Sequence, residues 1–251
     1  ISLDSDLIVK GDVSELYATD LETNLLAAAR DIDYLGNLNM NDGKRMEYTK
    51  EVLQMENPYD YFQAGVLVLN TAEMRKLYSF EKWLEIAAEP KYIYDDQDIL
   101  NAHCQGRVTY LDNSWNVMND CGGRIAKVFS FAPAGLFDKY IAAYQAPKIM
   151  HYAGFEKPWK PGPCDQKELY WSYARQMPFY ESLLSMVFID KNRVAADIQR
   201  SQDDAVRLAK TPARAISENS PLREVFDEAL PQGSTRREVA KLVVRKLRGR
   251  K

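Results

Sequence analysis

Short apolar runs alternate with amphipathic stretches from Ile1 to about Lys160. Strands are predicted over Ile1–Leu3 with Leu7–Val9, Leu25–Ala29, Ala64–Leu69, Arg107–Tyr110 and Lys148–His151. Apolar positions at helical spacing predict helices over Thr71–Leu77, Phe80–Ala88 and Gln97–Gln105. Strands interleaved with helices are the mark of an α/β layer structure. The polar stretch Asn37–Pro58, with Asn-Asp-Gly at 41–43, predicts an excursion over the surface carrying one helix from Arg45 to Met55. The sequence opens on a run that already reads as a strand interior, with no Met before it. The expectation is an N-terminal truncation that has removed neighbouring strands.

A break rich in proline, Lys157-Pro158-Trp159-Lys160-Pro161-Gly162-Pro163, ends this region, because proline continues neither a helix nor a central strand. Helices are then predicted over Gln166–Gln176, Pro178–Ile189 and Gln202–Lys210, followed by linker-like sequence containing Pro212, Pro221, Pro231 and Gly233. The expected division is an α/β domain over 1–160, a helical extension over 161–233 and a tail over 234–251. In a helix started by Ser234 or Thr235, Val239, Leu242, Val243 and Leu247 share one face, with Arg and Lys on the others. Such a basic amphipathic segment suits an anionic membrane surface; a solvated, frayed terminus is the alternative.

Charge and cysteine usage narrow the classes. Thirty-three basic and thirty-six acidic residues give a net charge of −3, which argues against a nucleic-acid partner. Three cysteines cannot all pair and none lies in a CxxC, so a reducing compartment is expected. The chain is read as cytoplasmic, with its tail available for the inner face of a membrane.

Three constellations carry chemistry. Asp4-Ser5-Asp6 puts two carboxylates at a strand end, where hard oxygen ligands suit Mg²⁺ or Mn²⁺ bridging to phosphate. Solvated turn carboxylates give the same pattern. In HYAGFEKPW (151–159), His151 ends an apolar run, Gly154 permits close backbone approach and Lys157 offers a positive charge. This trio suits a loop around a metal-bound diphosphate, imidazole favouring Mn²⁺ over Mg²⁺; a core histidine beside an exposed lysine is equally compatible. Asp95-Asp96-Gln97-Asp98 opens a helix, where acids serve either as caps or as acceptors for sugar hydroxyls.

In this order the blocks LDSDLIVKGDVSELYATDL, YFQAGVLVLN, DQDILN with the later NSWNVM, and HYAGFEKPW resemble glycosyltransferase family 8 from Leu3 to Trp159. That family includes glycogenin and bacterial lipopolysaccharide galactosyl- and glucosyltransferases. The resemblance implies a GT-A fold, a mixed sheet flanked by helices with a helical C-terminal region. It also implies a retaining transfer of galactose or glucose from a UDP-sugar to a saccharide acceptor, in cell-envelope polysaccharide or lipopolysaccharide synthesis. Asp4, Asp6 and His151 would ligate Mn²⁺, with Mg²⁺ as the second choice. Asp4, Ser5, Asp6, Gln63, Ala64, Asp96, Gly154 and Lys157 would form the donor site, with Gly154 and Lys157 on the diphosphate and Asp96 on the sugar hydroxyls. Gln97 would lie near the anomeric carbon, making Gln97 and Asp96 the catalytic pair, and Asp31 would face the acceptor.

The chain departs from the family pattern at Phe62-Gln63-Ala64-Gly65, where asparagine is common at the position of Gln63. The family's first strands, which hold uracil and ribose, also precede the point where this sequence opens. A neutral amide is a poor nucleophile, so same-face attack is expected over a double displacement through Asp96 or Asp98. The rival from another class is a non-catalytic saccharide- or partner-binding module on the same fold. A nucleotidyltransferase would show a Gly-rich phosphate loop, which only Gly122-Gly123 approaches.

Overall fold

The computed structural model describes residues 1–187. Its contacts define one unit over Ile1–Tyr180 and a second from Glu181, of which residues 181–187 are described and helical. The predicted helix Gln202–Lys210, the linker-like sequence after it and the basic tail fall outside the described residues.

The first unit is built on two small sheets. One has the order β1 (Ser2–Leu3), β4 (Phe62–Leu69), β3 (Leu26–Arg30), β5 (Val108–Tyr110). There β4 runs antiparallel to both neighbours, and β3 pairs parallel with β5. The other has the order β2 (Leu7–Val9), β7 (Ile149–His151), β6 (Val117–Met118), with β2–β7 antiparallel and β6–β7 parallel. Around them lie α1 (Val13–Tyr17), α2 (Ile32–Leu38), α3 (Lys44–Glu51), α4 (Thr71–Leu77), α5 (Phe80–Ala87), α6 (Asp95–Cys104), α7 (Arg124–Lys127), α8 (Ala134–Gln145) and α9 (Lys167–Ala174). No helix among the described residues is long and apolar enough to cross a membrane.

Burial explains the central strands. Leu26 to Ala29 are fully buried, so β3 shows a continuous apolar run instead of alternation, as a strand covered on both faces must. The predicted strands Ile1–Leu3 and Leu7–Val9 both form, as Ser2–Leu3 and Leu7–Val9, but they belong to different sheets, and Asp4-Ser5-Asp6 carries the chain from one to the other. Asn37–Pro58 is corrected as well. Its helix ends at Glu51, and Thr49, Leu53, Met55 and Pro58 are buried. Leu53 and Met55 join Leu35 and Leu38 in one apolar cluster, so this segment closes the core rather than wandering over it. Between Tyr110 and Lys148, where the pattern predicts no element, the chain forms β6, α7 and α8. A two-residue strand carries no period, and α8 buries only Tyr140 and Ala143 of its twelve residues.

Helix α2 is placed by two residues. Asp31 caps it, its carboxylate accepting from the Tyr34 backbone N–H at 2.9 Å. Gly36 lets it touch the chain before the 3-10 turn Phe129–Phe131: a Cβ there would lie 2.1 Å from the Val128 carbonyl oxygen. Backbone cannot yield as a side chain does, so Gly36→Ala is expected to cost about 3 kcal/mol, read as a lowered urea midpoint.

Candidate functional site

The connector between β1 and β2 and the end of β7 form one corner. The Asp4 N–H donates to the Gly65 carbonyl in β4 at 2.9 Å, and the Tyr152 N–H donates to the Asp6 carbonyl at 3.0 Å. Leu7 lies opposite His151 in the β2–β7 ladder, so the residue before it meets the imidazole. His151 Nε2 is 3.3 Å from Asp6 Oδ1 and 3.6 Å from Asp4 Oδ2. Among the described residues, one ligand atom from each of these three lies within 4.8 Å of the others, the one such cluster of His, Cys, Asp and Glu. The Asp4 side chain is 52% exposed while the His151 side chain is 2% exposed, so the corner opens on the Asp4 side.

The imidazole's tautomer follows from its partners. Gln63 Oε1 accepts from the Gly65 N–H at 2.5 Å and from Asn116 Nδ2 at 2.6 Å. That turns Asn116 Oδ1 toward His151 Nδ1, 2.9 Å away, where it accepts the ring N–H. Nε2 then faces both carboxylates: carrying a proton it donates to Asp6, and once that proton leaves, its lone pair points where imidazole binds a metal. Octahedral ligands at about 2.1 Å from a cation lie about 3 Å apart when adjacent, close to the spacings seen here. Two hard oxygens and one imidazole nitrogen therefore fit a divalent ion of the Mn²⁺ or Mg²⁺ type.

The two carboxylates are tuned in opposite directions. Burial raises Asp4 above its ordinary value, with Asp6 and Asp96 adding repulsion against the pull of His151. Burial also works against ionised Asp6, yet hydrogen bonds from His151 and Lys157 outweigh it and hold Asp6 well below the usual carboxylate range. Lys157 Nζ donates to Asp6 Oδ2 at 2.5 Å and to the Tyr152 carbonyl at 2.7 Å. An ammonium has three N–H bonds, so one remains for a ligand.

A cleft of about 270 Å³ adjoins the corner, lined by Asp4, Ala64, Gly65, Tyr94, Asp96 and Gln97 among others. Asn101 fixes α6 to β4: its side chain exchanges two 2.8 Å hydrogen bonds with the Phe62 backbone. Gln97 then reaches across the cleft floor. Its Oε1 accepts from the Ala64 N–H at 3.0 Å, and its Nε2 donates to Asp31 Oδ2 at 3.0 Å and to the Tyr61 hydroxyl at 3.3 Å. Asp31 is 6% exposed; burial first, then the charge of Asp33, pushes its carboxyl up to about 6.

The acidic run divides by position. Asp96 is exposed and lines the cleft, whereas Asp98 is fully buried. Asp98 accepts from the Tyr48 and Tyr61 hydroxyls, both at 2.6 Å, and from the Ile93 and Tyr94 N–H groups. It braces the loop into α6, and the double-displacement role weighed for it is corrected: it has no face on the cleft. Gly154, at φ +101°, sits apart from the cleft, where a Cβ would come within 3.1 Å of Cys121 Sγ. Ser5 is exposed between the aspartates and does not line the cleft. Sequence reasoning gave no role to Asn116, Gly65 or Tyr94. Asn116 stood inside NSWNVM, but its link to His151 is visible only in space.

The chain and its fold resemble known proteins. The model of glycosyl transferase family 8 matches residues 1–161. Lipopolysaccharide 1,2-glucosyltransferase of Escherichia coli K12 is 25% identical over 162 residues, which are 62% of this chain and 43% of that protein. The apo structure of WbbM, a bifunctional glycosyltransferase, superposes with a TM-score of 0.66 at 33% identity, covering 73% of this chain and 33% of that one. Galactosyltransferase LgtC, solved in complex with donor and acceptor sugar analogs, gives 0.51 at 27% identity over 74% of this chain and 60% of that one. The chain spans from 21% to 52% of the lengths of the curated relatives it matches. The mixed sheets flanked by helices are thus a GT-A fold, and with well over half of its residues under the family model the chain belongs to glycosyltransferase family 8.

Proposed function

We propose that this glycosyltransferase moves galactose or glucose from a UDP-sugar to a saccharide acceptor with retention of configuration, in cell-envelope polysaccharide or lipopolysaccharide synthesis. The observation that carries this reading is the Asp4–Asp6–His151 corner opening beside a cleft floored by Gln97. Asp4, Asp6 and His151 would hold Mn²⁺, or Mg²⁺ in its place. When bound, the cation supplies Lewis-acid stabilisation of the departing diphosphate. Lys157 offers its third N–H to the same diphosphate, and Gly154 keeps the loop 151–159 close to it. Asp96 accepts from hydroxyls of the transferred sugar, and Ser5, Gln63 and Ala64 complete the donor site.

As the bond between the anomeric carbon and the diphosphate lengthens, positive charge grows on the sugar ring. Gln97 Oε1 presents the negative end of an amide dipole to it. The acceptor hydroxyl attacks from the face the diphosphate leaves, and its proton passes to the departing phosphate oxygen. A position at the inner face of the membrane, held by the tail 234–251, fits the free thiols Cys104, Cys121 and Cys164 and the relative acting on lipopolysaccharide. The expected domain plan is the α/β region 1–160, the helical extension and the tail.

The test uses the whole chain with UDP-glucose and UDP-galactose. Slow release of free hexose and UDP is expected with Mn²⁺ and not with EDTA, measured by chromatography of the products. Binding of UDP that ignores Mn²⁺, with no turnover, would instead mark a non-catalytic module.

A further inference from the structure

Gln97 cannot be turned around in its site. A flipped amide would set its NH₂ group against the Ala64 N–H and its oxygen against the Asp31 carboxylate, two repulsive contacts in place of two hydrogen bonds. The residue that enforces this is Asp31, from below the cleft floor. Its Oδ1 is taken by the Tyr34 N–H and its Oδ2 by Gln97 Nε2, and little of its surface reaches solvent. Among the described residues no Lys or Arg pairs with it; Arg124, which could, pairs with Asp33 at 2.6 Å.

We propose that Asp31 is a positioning residue for the transfer reaction, acting through Gln97: its carboxylate fixes the amide with Oε1 toward the reacting carbon and polarises it. This rests on the reading of the cleft as a donor-sugar site. A carboxylate hydrogen-bonded to an amide N–H drives electron density toward the amide oxygen, which strengthens the dipole offered to a positive sugar ring. It also explains why an unpaired acid is buried where a neutral cap would serve α2 equally well. The groups facing Asp31 are Asp33 on α2, Arg124 on α7, Tyr61 before β4 and Tyr94 before α6. Burial with Asp33 sets its ionisation near 6, so the polarising charge is present at neutral pH and lost below that.

Asp31→Asn tests the proposal. It should lower both acceptor-dependent transfer and acceptor-free hydrolysis of the UDP-hexose about 10- to 100-fold in kcat, with both KM values within about threefold. The wild-type acid limb near pH 6 should vanish from the variant's profile. In a Gln97→Leu background the same substitution should change nothing further, since the path through Gln97 is already cut. Folding provides an independent check with a defined sign. A carboxyl raised from 3.8 to about 6 on folding stabilises in its neutral form, and that contribution is lost as pH rises through 6. The variant's Tm should therefore exceed the wild type's at pH 7.5, with the gap closing near pH 4.

Unchanged hydrolysis with a raised acceptor KM would overturn the proposal and make Asp31 an acceptor ligand. Losses that multiply with those of Gln97→Leu would overturn it too. If the wild type itself shows no Mn²⁺-dependent binding of UDP, the donor-site reading has failed first, and Asp31 loses the role with it.

Discussion

Asp6→Ala is expected to reduce metal-dependent turnover of a UDP-hexose by at least about 1000-fold, because it removes a metal oxygen and a lysine anchor together. Oδ1 is the oxygen facing His151 Nε2, and Oδ2 holds Lys157. With the methyl group in place, two ligands remain for the cation, one of them on the largely exposed Asp4 side chain. Lys157 keeps only the Tyr152 carbonyl as its anchor and no longer points where a diphosphate would sit. Initial rates measured across a Mn²⁺ series, beside electron paramagnetic resonance of free Mn²⁺, separate loss of metal from loss of chemistry. A variant that retains Mn²⁺-dependent hydrolysis would refute the assignment of this corner. Acid unfolding gives a second reading. Asp6 is held below its ordinary value, so it stabilises the fold above that value and the benefit fades as pH falls through the folded one. The alanine variant should lack that component of the wild type's acid sensitivity.

The meeting of Asp4, Asp6 and His151 was legible in the sequence, each standing where an apolar run stops. Strand ends alone leave solvated turn carboxylates and a core histidine open, and it is the resemblance in the order of the blocks that implies the three residues share one ion. Their immediate surroundings were not legible. The interruption at Asp4-Ser5-Asp6 is a change of sheet, and three polar residues look the same whether a chain turns or crosses. Asp96 and Asp98 are indistinguishable as letters, but two residues along a helix is a rotation of about 200°, which sends one to the cleft and the other under the tyrosines. The departure at Gln63 reads in the sequence only as a longer amide in place of asparagine. In space its oxygen collects the Gly65 N–H and the Asn116 amide, so it also governs the tautomer of His151. Nothing in the sequence points to helix α2 either: the use of Gly36, to let Val128 approach, is visible only in space.

Gly65→Ala should be the most damaging single methyl group in the protein for metal binding, with a loss of affinity of about 100-fold or more expected from disturbing several coupled positions at once. The constraint is space, since Gly65 lies within the extended strand β4 and needs no left-handed backbone. A Cβ there would lie 2.5 Å from His151 Cε1, 2.6 Å from Asp4 Oδ2 and 2.8 Å from Gln63 Oε1. His151 cannot retreat, being buried in β7 and tied to Asn116. Asp4 can swing into solvent, but only by leaving the cation site, and Gln63 can shift only by releasing Asn116. Overpacking of this kind costs about 1–3 kcal/mol, and at about 2–4 °C per kcal/mol for a unit of this size the variant should stay folded at 25 °C. Calorimetric titration with Mn²⁺ beside a thermal melt therefore distinguishes a lost site from a lost fold. Gly36→Ala is the matched control: the same methyl group, pressed on backbone far along α2, should lower stability by more and leave Mn²⁺ affinity unchanged. Wild-type Mn²⁺ affinity in Gly65→Ala would mean the cation binds elsewhere, because no arrangement of that corner holds the methyl group and all three ligands together.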